Sequence, residues 1–188
     1  MRDFIITYTG KTFYPLTPVL EDIDIRDIAH SQSYMTRANG HMMRFYSVAQ
    51  HSINCALEAA ARGHNPRVQL ACLLHDASES YISDITRPVK KAMPQYLLIE
   101  SRLMEVIYRR FGLEDLDREE QQQVTEIDDD ILYHEFVVLK NVRLREQQPT
   151  LFARPDFSEH PFSQVERQML ALFEQLWAAV HDSYSSEG

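Results

Sequence analysis

Apolar residues recur at three- and four-residue spacing over most of this chain, the rhythm of helices that each hide one face. Before that rhythm begins, Phe4, Ile6 and Tyr8 alternate with polar neighbours, Thr9-Gly10-Lys11 turns the chain, and Phe13 and Tyr14 resume. This predicts a small β-hairpin within residues 1–20, its second arm cut short by Pro15 and Pro18. Helical spacing then predicts a short helix over Ile25–Tyr34, a turn at Asn39-Gly40, and a helix from Tyr46 to Arg62 closed by Gly63. Asn65-Pro66 supplies a cap and a first-turn proline for the next helix, which is expected to carry His75 and Asp76. Residues 83–94 read as mostly loop, with Pro88 breaking regular structure. Gln95–Phe111 should be a helix with Ile99, Leu103, Val106 and Ile107 inward, and a further helix is expected over Arg118–Arg145. Residues 146–160 contain two prolines and little period, so they read as loop. The last helix, Phe162–His181, should bury Val165, Met169, Leu172, Phe173, Leu176 and Trp177. The fold class is mainly α: one domain over residues 1–188, with a small N-terminal hairpin.

Composition narrows the partners. The net charge is −9, and no basic cluster exceeds Lys90-Lys91 or Arg109-Arg110. Long nucleic acid is therefore a poor candidate partner, because its binders need a positive footprint. No run approaches the roughly 18 consecutive apolar residues of a membrane span. The first seven residues lack the long apolar segment of a signal peptide, so the expected location is cytoplasmic. Cys55 and Cys72 sit in helical apolar patterns without CxxC spacing; they read as a reduced, buried pair, not as a zinc site.

The candidate chemistry lies where ionisable residues interrupt apolar faces. His75-Asp76 follows the apolar run Val68-Gln69-Leu70-Ala71-Cys72-Leu73-Leu74, and burying an ionised carboxylate costs several kcal/mol unless a metal or a hydrogen-bonded partner compensates. At helical period Val68, Cys72, His75 and Glu79 share a face, with Asp76 about 100° round from His75. An internally hydrogen-bonded His-Asp pair without metal would also meet this pattern. His51 shares a stripe with Val48, Cys55 and Ala59. In Asp128-Asp129-Asp130 only Asp128 falls on the face of Val124, Ile131, Leu132, Glu135, Val138 and Leu139; its two neighbours project away. His51, His75, Asp76 and Asp128 thus converge from three helices. Mixed imidazole and carboxylate ligation suits one divalent transition-metal cation, Mn²⁺, Co²⁺, Fe²⁺, Ni²⁺ or Zn²⁺, over an all-oxygen Ca²⁺ cage.

With Phe45-Tyr46-Ser47-Val48-Ala49-Gln50-His51-Ser52, Leu74-His75-Asp76-Ala77-Ser78-Glu79, Asp84-Ile85-Thr86-Arg87-Pro88-Val89-Lys90 and Ile127-Asp128 in view, the sequence resembles the HD-domain metal-dependent phosphohydrolases, in particular their small bacterial 5′-nucleotidase-like branch. The resemblance spans Thr9 to about Glu135. It implies an HD-domain helical bundle in which the two histidines and two aspartates hold one divalent cation. It implies further that Glu79 is the catalytic glutamate beside the scissile phosphate, and that Arg37 and Asp84 contact phosphate or sugar. His41, Arg44 and Lys90 are added as polar candidates for the phosphate, and Glu135 as support behind Asp128. Ala38 stands where the branch has an aromatic residue, and Thr86 where it commonly has proline.

The function expected on this basis is release of phosphate from (deoxy)nucleoside 5′-monophosphates. Cleavage of nucleoside triphosphates to pyrophosphate or triphosphate, and a nucleotide-binding regulatory module with little catalysis, are the alternatives. The expected partner is a small nucleotide, and a homodimer is compatible with the aromatic final helix.

Overall fold

A computed structural model describes residues 3–185, with side chains to His181; Met1 and Arg2, at the head of the predicted hairpin and of the N-terminal reading, lie outside the described residues. The hairpin forms from β1 (Ile5–Ile6) and β2 (Thr12–Phe13), antiparallel, with Ile5 opposite Phe13. Phe13 is its anchor to the core, fully buried against the ring of Tyr81. Beyond the hairpin the described chain is mainly helical: α1 (Ile25–Tyr34), α2 (Val48–Ala61), α3 (Pro66–Leu74), the single turns α4 (Glu79–Ile82) and α5 (Arg87–Lys90), α6 (Pro94–Arg110), α7 (Arg118–Lys140) and α8 (Phe162–Ser185).

Caps explain the helix starts. Ser47 accepts from the Gln50 amide while the Gln50 side chain accepts from the Ser47 amide, a capping box that opens α2 one turn before His51. Asn65 accepts from Val68 N at 2.9 Å ahead of Pro66, and Asp117 with Glu120 forms a second capping box at the start of α7. Helices α2, α3 and α7 pack against one another pairwise, and α8 covers α1, α2 and α3. That arrangement buries Leu70, Leu73, Leu74, Leu103, Ile107, Ile127 and Ile131 in one core. Val165, Met169, Phe173 and Leu176 of α8 are buried in it, while Leu172 and Trp177 pack against its edge.

Two predicted helix ends, the role of Pro88 and the burial of Val138 need correction. Helix α3 ends at Leu74, and His75 is its C-cap. Residues 75–78 continue in 3₁₀-type turns, with Ala77 N bonding to Leu74 O and Glu79 N to Asp76 O, so His75, Asp76 and Glu79 do not lie on one continuous α-helix. Pro88 does not break structure; it sits in the first turn of α5, where a missing N–H costs nothing. The helix expected to reach Arg145 stops at Lys140, because Asn141 takes the left-handed conformation (φ 54°) and its amide closes on Phe136 O. Val138, expected inward, is exposed. No helix among the described residues is long and apolar enough to cross a membrane.

Candidate metal centre

The seam of α2, α3 and α7 is where the interrupting residues meet. His51 enters from α2 with no exposed surface, His75 from the end of α3, and Asp128 from α7. The Nε2 atoms of His51 and His75 face each other at 3.2 Å, and Asp128 Oδ1 lies 3.1 Å from the first and 3.8 Å from the second. Asp76 Oδ2 is 3.3 Å from His75 Nε2. The four residues singled out in the sequence are thus brought together at one point. Cys55, one turn along α2 from His51, belongs there too: its Sγ is 3.5 Å from His51 Nε2, and the donor atoms of His51, Cys55 and His75 all lie within 4.8 Å of one another. This group could hold a metal ion.

Each of the two imidazoles has a second partner that turns it inward. His75 Nδ1 lies 2.8 Å from the carbonyl of Cys72, which can only accept, so Nδ1 carries a proton and Nε2 is the atom that faces the centre. His51 Nδ1 lies 2.6 Å from Oε1 of the fully buried Glu135, which likewise leaves its Nε2 facing the centre. Two imidazole Nε2 atoms opposed across 3.2 Å, with two carboxylates beside them, form a negative pocket that could take a cation, in competition with the protons of the histidines. The electrostatics agree. Burial would lower the pKa of His75, but Asp76 and Asp128 reverse it and push it up to about 9. His51 is raised as well, Glu135 and Asp128 outweighing burial and the nearby Arg37 charge. Burial opposes ionisation of Asp76 and Asp128, yet the imidazoles hold both below the usual carboxylate range. The donor set therefore fits a divalent cation.

The centre opens into a cleft of about 370 Å³ lined by Arg37, Asp76, Glu79, Asp84, Arg87, Lys90 and Asp128, with Met42, Ile85, Leu132 and Phe136 on its apolar side. Arg37 is buried; its Nη1 donates to Asp76 Oδ2 at 3.1 Å, and its Nη2 lies 3.5 Å from Glu135 Oε2. Glu79 is also buried. Its Oε1 accepts from Lys90 Nζ at 3.3 Å, while its Oε2 is enclosed with no protein hydrogen-bond partner. Burial, with Asp76 and Asp84 adding repulsion, pushes its carboxyl up to about 9 against the pull of Lys90 and Arg37. That shift favours the protonated form of Glu79. Lys90 also pairs with Glu100.

Two candidates fall outside this lining: His41 and Arg44 are exposed and do not face the cleft. Their place as basic groups is taken by Arg87, which sequence reasoning did not single out; it donates to Asp128 and Asp129 at 2.6 Å each. Arginine beside a first-turn proline in an Asp84-to-Lys90 segment was the signal available, but nothing in helical periodicity points an exposed loop residue at α7. Asp130 pairs with Arg62 and Arg145 instead. His30 contacts Glu166 and stacks on Tyr8, and His134 meets the carbonyl of Pro149, all away from the centre.

The turn after Arg37 is strained. Arg37 is pinned by its amide to Tyr46 O at 2.8 Å, and the next two residues, Ala38 and Asn39, both sit in the left-handed region at φ 50° and 51°. A Cβ there costs about 1–2 kcal/mol, partly offset by glycine's larger unfolded-state entropy. Ala38→Gly should raise stability by roughly 0.5–1 kcal/mol in a urea melt; a loss would show that the Ala38 methyl group packs usefully in the cleft wall.

The fold and site together define an α-helical bundle with a candidate metal centre where three helices meet. No family model matches the chain. It is 39% identical over 110 residues to Uncharacterized protein YfdR of Escherichia coli (strain K12), a match covering 58% of this chain and 59% of that protein. It is 40% identical over 111 residues to Uncharacterized protein RCAP_rcc00048 of Rhodobacter capsulatus, covering 56% of each. The chain thus spans less than two thirds of the length of these curated relatives, and neither name states an activity.

Proposed function

We propose that this protein is a divalent-metal-dependent phosphohydrolase that releases phosphate from nucleoside 5′-monophosphates. The observation carrying this reading is the opposed pair of imidazole Nε2 atoms with Asp76 and Asp128 beside them, next to a cleft that is also lined by the buried Glu79. His51, His75, Asp76 and Asp128 would hold the ion. Burial, reinforced by Asp128, raises the pKa of the Cys55 thiol in the metal-free protein, so an ion that recruited Cys55 would have to displace its proton. When bound, a divalent transition-metal ion supplies Lewis-acid polarisation and lowers the pKa of a water molecule.

The chain's own residues account for the rest. Water adds to phosphorus in line with the leaving 5′ oxygen, the phosphorus–oxygen ester bond breaks on the opposite side, and the water's proton passes to the phosphate product, from which Glu79 is reprotonated after each turnover. Glu79, protonated at neutral pH, gives the proton on Oε2 to that oxygen, while Lys90 holds Oε1. Arg37 and Lys90 offset charge that develops on the phosphoryl oxygens. Asp84, Leu132 and Phe136 line the cleft; in this reading Asp84 meets a sugar hydroxyl and the two apolar side chains meet the face of the base. Arg37 and Arg87 are already paired to Asp76, Asp128 and Asp129, which favours the smaller charge of a monophosphate over a triphosphate.

Phosphorus NMR of products formed from matched mono- and triphosphates tests this reading. Orthophosphate from monophosphates is expected; pyrophosphate or triphosphate released from triphosphates, with monophosphates untouched, would overturn it.

A further inference from the structure

Resting on the metal reading above, we propose that Arg87 is a positioning residue for the metal centre: its guanidinium, forked across Asp128 and Asp129, presents Asp128 to the ion through Oδ1 alone. The other three candidate ligands are oriented from within the bundle. Glu135 sets His51, the Cys72 carbonyl sets His75, and Arg37 sets Asp76. Asp128 alone takes its outer partner from outside the bundle. Arg87 lies on the short α5 of the cleft-side loop, its Nη2 on Asp128 Oδ2 and its Nη1 on Asp129 Oδ1, both at 2.6 Å.

The geometry has a chemical consequence. Oδ2 of Asp128 is committed to the guanidinium while Oδ1 is 3.1 Å from His51 Nε2, so this carboxylate offers one oxygen to the centre. One-oxygen ligation beside two imidazoles suits a small six-coordinate transition ion; Ca²⁺ takes six to eight oxygens and accepts bidentate carboxylates. Removing Arg87 frees Oδ2 and lets Asp128 rotate, which weakens the small ion and relaxes discrimination against the larger one. Asp129 gains a role here too. It is the second tine's anchor, holding the fork flat against α7, whereas Asp130 on the same run pairs elsewhere. Lysine cannot substitute, because an ammonium is a point charge without a planar fork that spans two carboxylates.

The test is titration of the purified full-length apoprotein with Co²⁺ and with Ca²⁺, following cobalt's visible absorption bands and calorimetric heats. The native sequence, Arg87→Ala, Arg87→Lys, Asp129→Asn and His75→Ala are compared, with circular dichroism confirming that each is folded. Arg87→Ala should bind Co²⁺ roughly 10- to 100-fold more weakly, the scale of losing a ligand's outer partner. Its cobalt bands should shift and its Co²⁺/Ca²⁺ affinity ratio should fall. Arg87→Lys should recover only part of this, and Asp129→Asn should lose less than Arg87→Ala. Native affinity, bands and ratio in Arg87→Ala, with binding abolished by His75→Ala, would overturn the role of Arg87 and leave the metal centre standing. Absence of saturable Co²⁺ binding by the native protein would overturn both.

Discussion

Replacing Glu79 with glutamine should lower kcat for phosphate release by about 10²- to 10⁴-fold, the usual worth of a positioned general acid, while Co²⁺ affinity stays within a factor of about three. The reasoning is local. Glutamine matches glutamate in shape, so the contact to Lys90 Nζ can be kept through the amide oxygen, and no candidate ligand is touched. What disappears is the acidic proton on Oε2, which burial and two neighbouring carboxylates keep in place at neutral pH. The loss should fall on kcat more than on KM, because the proton is needed when the ester bond breaks. Near-native turnover in steady-state assays would remove Glu79 from the chemistry and leave it as a buried partner of Lys90.

The second large effect lies away from the centre. Glu58 of α2 is fully buried and accepts from Arg62 Nε at 2.7 Å, from the amide of Phe152 at 3.1 Å and from the amide of Ala153 at 2.8 Å. One carboxylate therefore ties the irregular segment 141–161 to the helix that carries His51. Glu58→Ala leaves two backbone donors without their acceptor and strips Arg62 of one of its two carboxylates. Leaving a buried group unpaired costs about 1–3 kcal/mol, and breaking a buried ion pair more; together a loss of roughly 3–4 kcal/mol is expected. In a urea titration the midpoint should fall with little change in slope, and limited proteolysis should cut within 141–161 sooner. A loss below about 1 kcal/mol would mean that Asn54 and Gln50, which also bond to this segment at Asp156 and Ser158, hold it unaided.

Helix placement was legible in the sequence wherever apolar period and caps agreed. Ile25–Tyr34 matches α1 residue for residue and Asn65 caps α3 ahead of Pro66 as expected, whereas α2 begins at Val48 behind its Ser47 cap, two residues after the expected Tyr46. Periodicity overran at its ends. It cannot see that Asn141 turns left-handed, nor that the chain tightens into 3₁₀ turns after Leu74, because both are decided by local backbone hydrogen bonds. The convergence of His51, His75, Asp76 and Asp128 was legible because a charge on an apolar face must be compensated, and three helices offered such charges. Cys55 was passed over for the opposite reason: a thiol on an apolar stripe breaks no pattern, so its proximity to His51 needed coordinates. Arg87 was invisible for a third reason, since an exposed loop arginine has no face to interrupt. His41 and Arg44 were drawn in by sequence proximity to His51, but the turn at Ala38-Asn39-Gly40 carries them to the surface.

The central claim, a metal-dependent phosphohydrolase centred on His51, His75, Asp76 and Asp128, meets its most direct test in one assay. Phosphate release is measured from a panel of ribo- and deoxyribonucleoside mono- and triphosphates with Mn²⁺, Co²⁺, Mg²⁺ or EDTA, beside a His75→Ala, Asp76→Ala protein. Release from monophosphates that needs a transition-metal ion, stops with EDTA and is absent from the double variant is the predicted result. A folded, metal-loaded native protein that releases phosphate from none of the panel would contradict it.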